Sequence, residues 1–197
     1  MWIKPVTLTG NHVTMRPMEV NDIKELYEAA QYEEIWDYMP MAINSLEDMK
    51  TFLHQAFKAR DKGVEFPFVI YDQQQQKLVG STRFLNISEK DRHLEIGWTW
   101  LTPSVWRSPV NTECKYLLLR HCFEELETIR VQLKTDGRNR RSQAAIERIG
   151  GVREGVLRKS RLTYTGYVRD TVYFSILESE WPDVKRKLEE KLANTKV

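Results

Sequence analysis

The sequence predicts one α/β domain organised around a mixed sheet. Two observations carry that reading. Apolar residues alternate in some short runs and recur every three or four positions in others, so strand-like and helix-like segments interleave along the 197 residues. No linker, internal repeat or low-complexity stretch interrupts them, and the length suits one core that needs no disulfide.

The elements follow in order. Val13 and Met15 alternate with Thr14 and Arg16, a strand running up to Pro17. Asn21 or Asp22 starts a helix with Ile23, Leu26, Tyr27 and Ala30 on its apolar face. Asn44-Ser45 leads into a second helix, whose stripe of Leu46, Met49, Phe52, Leu53, Ala56 and Phe57 stops at Lys62-Gly63. Three strands follow, at Phe66–Tyr71, Leu78–Ile87 and Leu94–Leu101, with Gln73–Gln76 as a turn. Val110–Glu127 reads as one long helix, buried on most sides, with Glu113, Arg120, Glu124 and Glu127 near a single polar stripe. Arg130–Thr135 alternates as a strand, and a short helix ends at Gly150-Gly151. Val152–Thr163 and Tyr167–Leu177 form a pair of strands turning at Thr165-Gly166, and Glu180–Leu192 is a charged amphipathic helix. The order is βααβββαβαββα.

Composition narrows the function. Thirty Lys and Arg stand against 28 Asp and Glu, a net charge of +2, which gives little reason to expect nucleic acid. No apolar run approaches the ~18 residues of a membrane span. The N-terminus, Met-Trp-Ile-Lys-Pro, lacks the apolar core of a signal peptide. Cys114 and Cys122 share one expected helix about 12 Å apart, too far for a disulfide, and their spacing fits no zinc pattern. They read as packing residues in a reducing cytoplasm, and no metal site is expected among four scattered histidines.

The most informative stretch is residues 136–151. Ser142 shares a helical stripe with Ala145, Ile146 and Ile149, so a hydroxyl sits on an apolar face near a helix start; Asn139 lies one turn earlier. Capping alone explains both residues. A second strand–loop–helix unit precedes this one. Its loop, Thr102–Pro109, leads to a helix start with free N–H groups and partial positive charge, ringed by Arg107, Ser108, Asn111 and Thr112. An ordinary cap accounts for that as well. If the two strands are neighbours, both helix starts face one edge of the sheet, where one can hold phosphates and the other can sit at a ligand's reacting end.

Residues 95–177 resemble the GNAT superfamily of N-acetyltransferases in its RimJ/RimL-like branch. The likeness rests on Glu95-Ile-Gly-Trp-Thr-Trp-Leu-Thr-Pro, Trp106 through Asn111-Thr-Glu-Cys-Lys, and Arg130-Val-Gln-Leu-Lys-Thr-Asp-Gly-Arg-Asn. It continues through Ser142-Gln-Ala-Ala-Ile-Glu-Arg-Ile-Gly-Gly and Gly166-Tyr-Val-Arg-Asp-Thr-Val-Tyr-Phe-Ser-Ile. The resemblance implies a mixed, mostly antiparallel sheet of six to seven strands flanked by helices, with two central strands splayed. It implies acetyl-CoA as cosubstrate, a small-molecule or peptide amine as acceptor, and a possible homodimer. Backbone groups of Thr99, Trp100 and Leu101 would bond the pantetheine arm. Trp106, Arg107, Ser108, Val110, Asn111 and Thr112 would surround the pyrophosphate. Asn139 would contact the pantetheine, and Ser142 would protonate the leaving thiolate. Two positions depart from the family loop: Trp106 stands where Arg or Gln is usual, and Pro109 replaces a glycine and lacks an N–H.

Glu95 is the candidate base, opposite in face to Leu94, Ile96 and Trp98; the alternative is a strand glutamate paired with Arg83 or Arg92. Arg138, Arg140 and Arg141 form a basic cluster that either draws an anion or merely solvates a helix start. Trp36, Tyr38, Met39 and Met41 are either core or acceptor pocket. Acetyl transfer to an amine is the leading function. A non-catalytic acyl-CoA-binding module is the alternative, and an RNA- or ribosome-binding module is a weaker third reading.

Overall fold

The computed structural model describes residues 2–194. Eight strands form one sheet: β1 (Leu8–Thr9), β2 (Val13–Pro17), β3 (Glu65–Asp72), β4 (Lys77–Ser88), β5 (His93–Leu101), β6 (Arg130–Asp136), β7 (Val152–Leu162) and β8 (Val168–Leu177). Five α-helices accompany them: α1 (Ile23–Ala29), α2 (Leu46–Asp61), α3 (Pro109–Arg120), α4 (Arg140–Arg148) and α5 (Trp181–Ala193). The strand order is β1-β2-β3-β4-β5-β6-β8-β7. Every neighbouring pair is antiparallel except β5 and β6.

That parallel pair decides the architecture. β5 and β6 pair only over His93–Glu95 and Arg130–Gln132, so residues 96–101 and 133–136 have parted. On its other side β5 stays tied to β4, but the register shifts between Ser81 and Arg83. Trp98 takes a left-handed conformation there, with φ of 50°. A bulge of this kind bends its strand and increases its twist, which carries the end of β5 away from β6.

Each face of the sheet has its own core. On one face Leu94, Ile96, Val131, Leu133, Val172, Phe174 and Ile176 pack with Val110, Cys114 and Leu118 of α3, Ile146 of α4, and Trp181, Val184 and Leu188 of α5. On the other, Val69, Leu78 and Trp100 pack with Leu26 of α1 and Met49, Phe52, Leu53 and Ala56 of α2. Ser45 caps α2 by accepting from the Asp48 N–H, and Gly63 follows its end at φ of 71°, where a side chain would be strained.

Three expectations are corrected. The sheet has eight strands because the two-residue β1 is too short to show a period. The long helix ends its α-helical part at Arg120 and finishes in a π-helical turn over His121–Glu125. Glu113 leaves the polar stripe altogether: it is buried and accepts the backbone N–H groups of Asn11, His12 and Val13 at 2.8, 2.7 and 2.8 Å.

Candidate active site

The gap between β5 and β6 is flanked by two helix starts. Ser108 caps α3, accepting from the Val110 N–H at 3.3 Å and donating to the Val105 carbonyl at 2.6 Å. Pro109 occupies the first helical position. Proline suits that place, since its φ is preset and no intrahelical bond is lost. The Asn111 N–H is left over by helix geometry, beside the weakly engaged Val110 N–H. The first turn therefore keeps one free donor for an anion and a second that Ser108 holds at 3.3 Å, with Thr112 at its rim. Arg107 is exposed and left-handed at φ of 62°, in the loop just before the cap. Trp106 donates its indole N–H to the Leu101 carbonyl at 2.9 Å, and Arg141 lies 3.8 Å over its ring. Trp106 thus fastens the loop to β5 and takes up one of the carbonyls expected to meet a pantetheine arm.

At the second helix start, Asn139 caps α4 with Oδ1, which accepts the Ser142 N–H at 2.9 Å. This leaves the Asn139 amide donor without a protein acceptor among the described residues. Ser142 is half-buried, and its hydroxyl makes no hydrogen bond among them. Arg138 turns back to Asp136 with contacts at 3.1 and 2.9 Å and stacks 3.6 Å over Tyr167. It holds the Asp136 carboxyl below the usual range against the opposing effect of burial. The arginine cluster is therefore divided: Arg138 faces Tyr167, Arg141 faces Trp106, and Arg140 is exposed.

Glu95 stands at the fork, in the last paired position. It is 1% exposed, and its Oε2 accepts from Asn86, Gln132 and Lys134 at 2.8, 2.9 and 2.9 Å. Its cationic partner is Lys134; Arg83 goes to Glu65 at 2.9 Å, and Arg92 donates to the Glu127 carbonyl. Trp100 is buried against Trp36, ring centres 5.5 Å apart, so only its backbone is available to a ligand. The aromatic–Met patch divides too: Trp36 is core, whereas Tyr38 turns to Arg138, 5.6 Å from its ring centre.

Sequence reading missed Lys115. It is 6% exposed, and its ammonium donates to Thr99 Oγ1 at 2.7 Å, which in turn meets Thr82 Oγ1 at 2.8 Å. Burial lowers its pKa to about 8. The signal was present, because Lys115 falls among Cys114, Leu117, Leu118 and Leu119 on an otherwise apolar stretch. Burial also pushes the Cys114 thiol up to about 12, and both cysteines are free and buried, as packing residues are.

The acetyltransferase (GNAT) domain family matches residues 12–152. The Bacillus subtilis protein YdaF, provisionally named a ribosomal N-acetyltransferase, is 28% identical over 183 residues, covering 89% of this chain and 97% of its own. A GCN5-related N-acetyltransferase from Brucella melitensis superposes with a TM-score of 0.92 at 25% identity, over 98% of this chain and 88% of its own. Mycobacterium smegmatis RimJ, solved with CoA-disulfide, shares the fold at a TM-score of 0.82 and 20% identity, over 95% of each chain. The chain belongs to the GNAT acetyltransferase family.

Proposed function

We propose that the chain acts as one acetyltransferase domain moving an acetyl group from acetyl-CoA to a primary amine, of a peptide N-terminus or a small molecule. The observation that carries this is the parting of β5 and β6 between two helix starts that both offer unused donors. Acetyl-CoA supplies the activated acyl group as a thioester. The N–H groups of Val110 and Asn111 receive the pyrophosphate, with Arg107, Ser108 and Thr112 around it. The backbone of Thr99–Leu101 and the Asn139 amide align the pantetheine in the gap. These are positioning contributions, which dominate a direct attack.

The amine nitrogen bonds to the acetyl carbon as the carbon–sulfur bond breaks. Glu95 takes the amine proton, directly or through water. Ser142 Oγ gives its proton to the departing sulfur and regains one from solvent. The cytoplasm, where acyl-CoA and free amines meet, is the compartment that this reading implies.

Thermal unfolding with acetyl-CoA tests the reading. Ligand at 100 times its dissociation constant adds about 2.7 kcal/mol, which raises the melting temperature by roughly 5–10 °C. Thiol release across an amine panel then separates an enzyme from a binding module. No shift at millimolar acetyl-CoA overturns both.

A further inference from the structure

We infer that the acceptor carries a carboxylate, received by Arg169 on β8; this rests on the transferase reading above. Along β6 and β8, Val131, Leu133, Val172, Phe174 and Ile176 enter the core beneath α3, α4 and α5. Strand alternation places Gln132, Lys134, Asp136, Arg169, Thr171 and Tyr173 on the opposite face. The core under α1 and α2 takes no residue from β6, β7 or β8. That face is thus a polar floor running from the fork at Glu95 toward the open end of β6. If a cofactor enters between the starts of α3 and α4, this is the side from which an amine can reach its acyl end.

Arg169 is the anomaly on that floor. It is 6% exposed, yet no carboxylate lies within 4.0 Å of it among the described residues. Its guanidinium donates to Thr171 Oγ1 at 3.1 Å and to the Tyr38 carbonyl at 3.5 Å, both neutral. The acid that acts on it, Asp136, is already held by Arg138 through two side-chain contacts and its backbone N–H. Arg161 stands directly across from Arg169 in the strand register. Like charges facing each other across strands repel, and a buried charge without a partner is costly. Three arginines therefore share one carboxylate: burial pulls the Arg169 pKa down, Asp136 pushes it back up, and Arg161 and Arg138 each oppose that by less. An acceptor carboxylate supplies the missing charge with the fork geometry that arginine favours. Tyr38 and Tyr167 bracket Arg138 beside it and furnish apolar walls. A free α-carboxylate of an amino acid and an acidic side chain near a peptide N-terminus share this chemistry.

The test compares acceptors in pairs with acetyl-CoA: an amino acid against its amide, and short peptides with Glu against Gln at the second position. The expected result is a kcat/KM at least tenfold higher for the carboxylate member of one pair, expressed in KM; the pair that shows it identifies the source. Arg169→Gln abolishes that preference, and Arg169→Lys recovers part of it. Equal rates for acid and amide in both pairs, or a preference for the uncharged members, overturns the inference while leaving the transferase reading intact. A second measurement needs no turnover. Thermal shift by N-acetyl amino acids and by their amides, with CoA present, is expected to favour the acids in the wild-type protein. If no acceptor is acetylated, that difference upholds the carboxylate site while the transferase reading falls; its absence overturns the site as well.

Discussion

Lys115 Nζ donates to Thr99 Oγ1 at 2.7 Å, which ties the second turn of α3 to the parted stretch of β5. The contact holds the splay from below and places a buried amine whose pKa has fallen from 10.5 to about 8. The unfolded chain therefore binds the proton more tightly than the folded one. Below pH 8 both forms are protonated and the full cost of burying the cation is felt; between about 8 and 10.5 the cost is relieved. Lys115→Met removes a penalty of at most about 3 kcal/mol. The variant is expected to melt several degrees higher at pH 7, with the gap to wild type closing as pH rises to 10. A variant that melts lower at pH 7 would show that the ammonium's bond to Thr99 outweighs its desolvation.

Pro109 presents a trade between fold and ligand. At the first helical position it restricts the unfolded chain and costs α3 no internal bond, yet it removes one N–H from the turn proposed to receive the pyrophosphate. Pro109→Gly is expected to lower the melting temperature by a few degrees, corresponding to about 1 kcal/mol. It is also expected to tighten acetyl-CoA binding about tenfold, the worth of one hydrogen bond to a charged group. Calorimetric titration and a melting curve read both. Unchanged affinity would mean that the first-turn N–H does not reach the phosphates.

Much of the fold was legible from local pattern. The strands from β2 onward and all five helices lie within two or three residues of where periodicity and caps place them, apart from the overlong end of α3. Ser45, Ser108 and Asn139 cap helices, as their residue types suggest. What was not legible depends on contacts distant in sequence. Glu113 looked like a solvent-facing glutamate because nothing nearby reveals that a turn a hundred residues earlier donates three N–H groups to it. Lys134 and Gln132 reach Glu95 across strands 37 to 39 residues apart. Nothing local to Arg169 reveals that Arg161 faces it, because only the pairing of β7 with β8 brings the two together.

Glu113 is expected to matter for stability alone. Its carboxylate gathers the N–H groups of Asn11, His12 and Val13, and a Cβ on Gly10 would collide with it. Glu113→Ala orphans three donors and is expected to cost about 3 kcal/mol, a fall of roughly 6–12 °C in melting temperature. Glu113→Gln is expected to lose about half as much, because its amide oxygen still accepts from His12 and Val13. The affinity for acetyl-CoA, measured at a temperature where the variants are folded, should stay within threefold. A loss of affinity with unchanged melting would move Glu113 from fold to site.

Ser142 and Glu95 are expected to fail in different ways. Ser142→Ala keeps the N–H that Asn139 caps, so α4 should keep its stability. Loss of a proton donor typically costs a hundredfold or more in kcat, and CoA affinity should hardly move. Glu95→Gln keeps the shape of the fork but gives up the ion pair with Lys134. Oε2 also binds Asn86 and Gln132, so the same change weakens the last paired position of β5 and β6 and is expected to lower the melting temperature. As the base, Glu95 should lose about a hundredfold in kcat at the temperature where the variant is fully folded. If kcat survives while the melting temperature drops, Glu95 is the brace at which the two strands part, and the amine loses its proton to water.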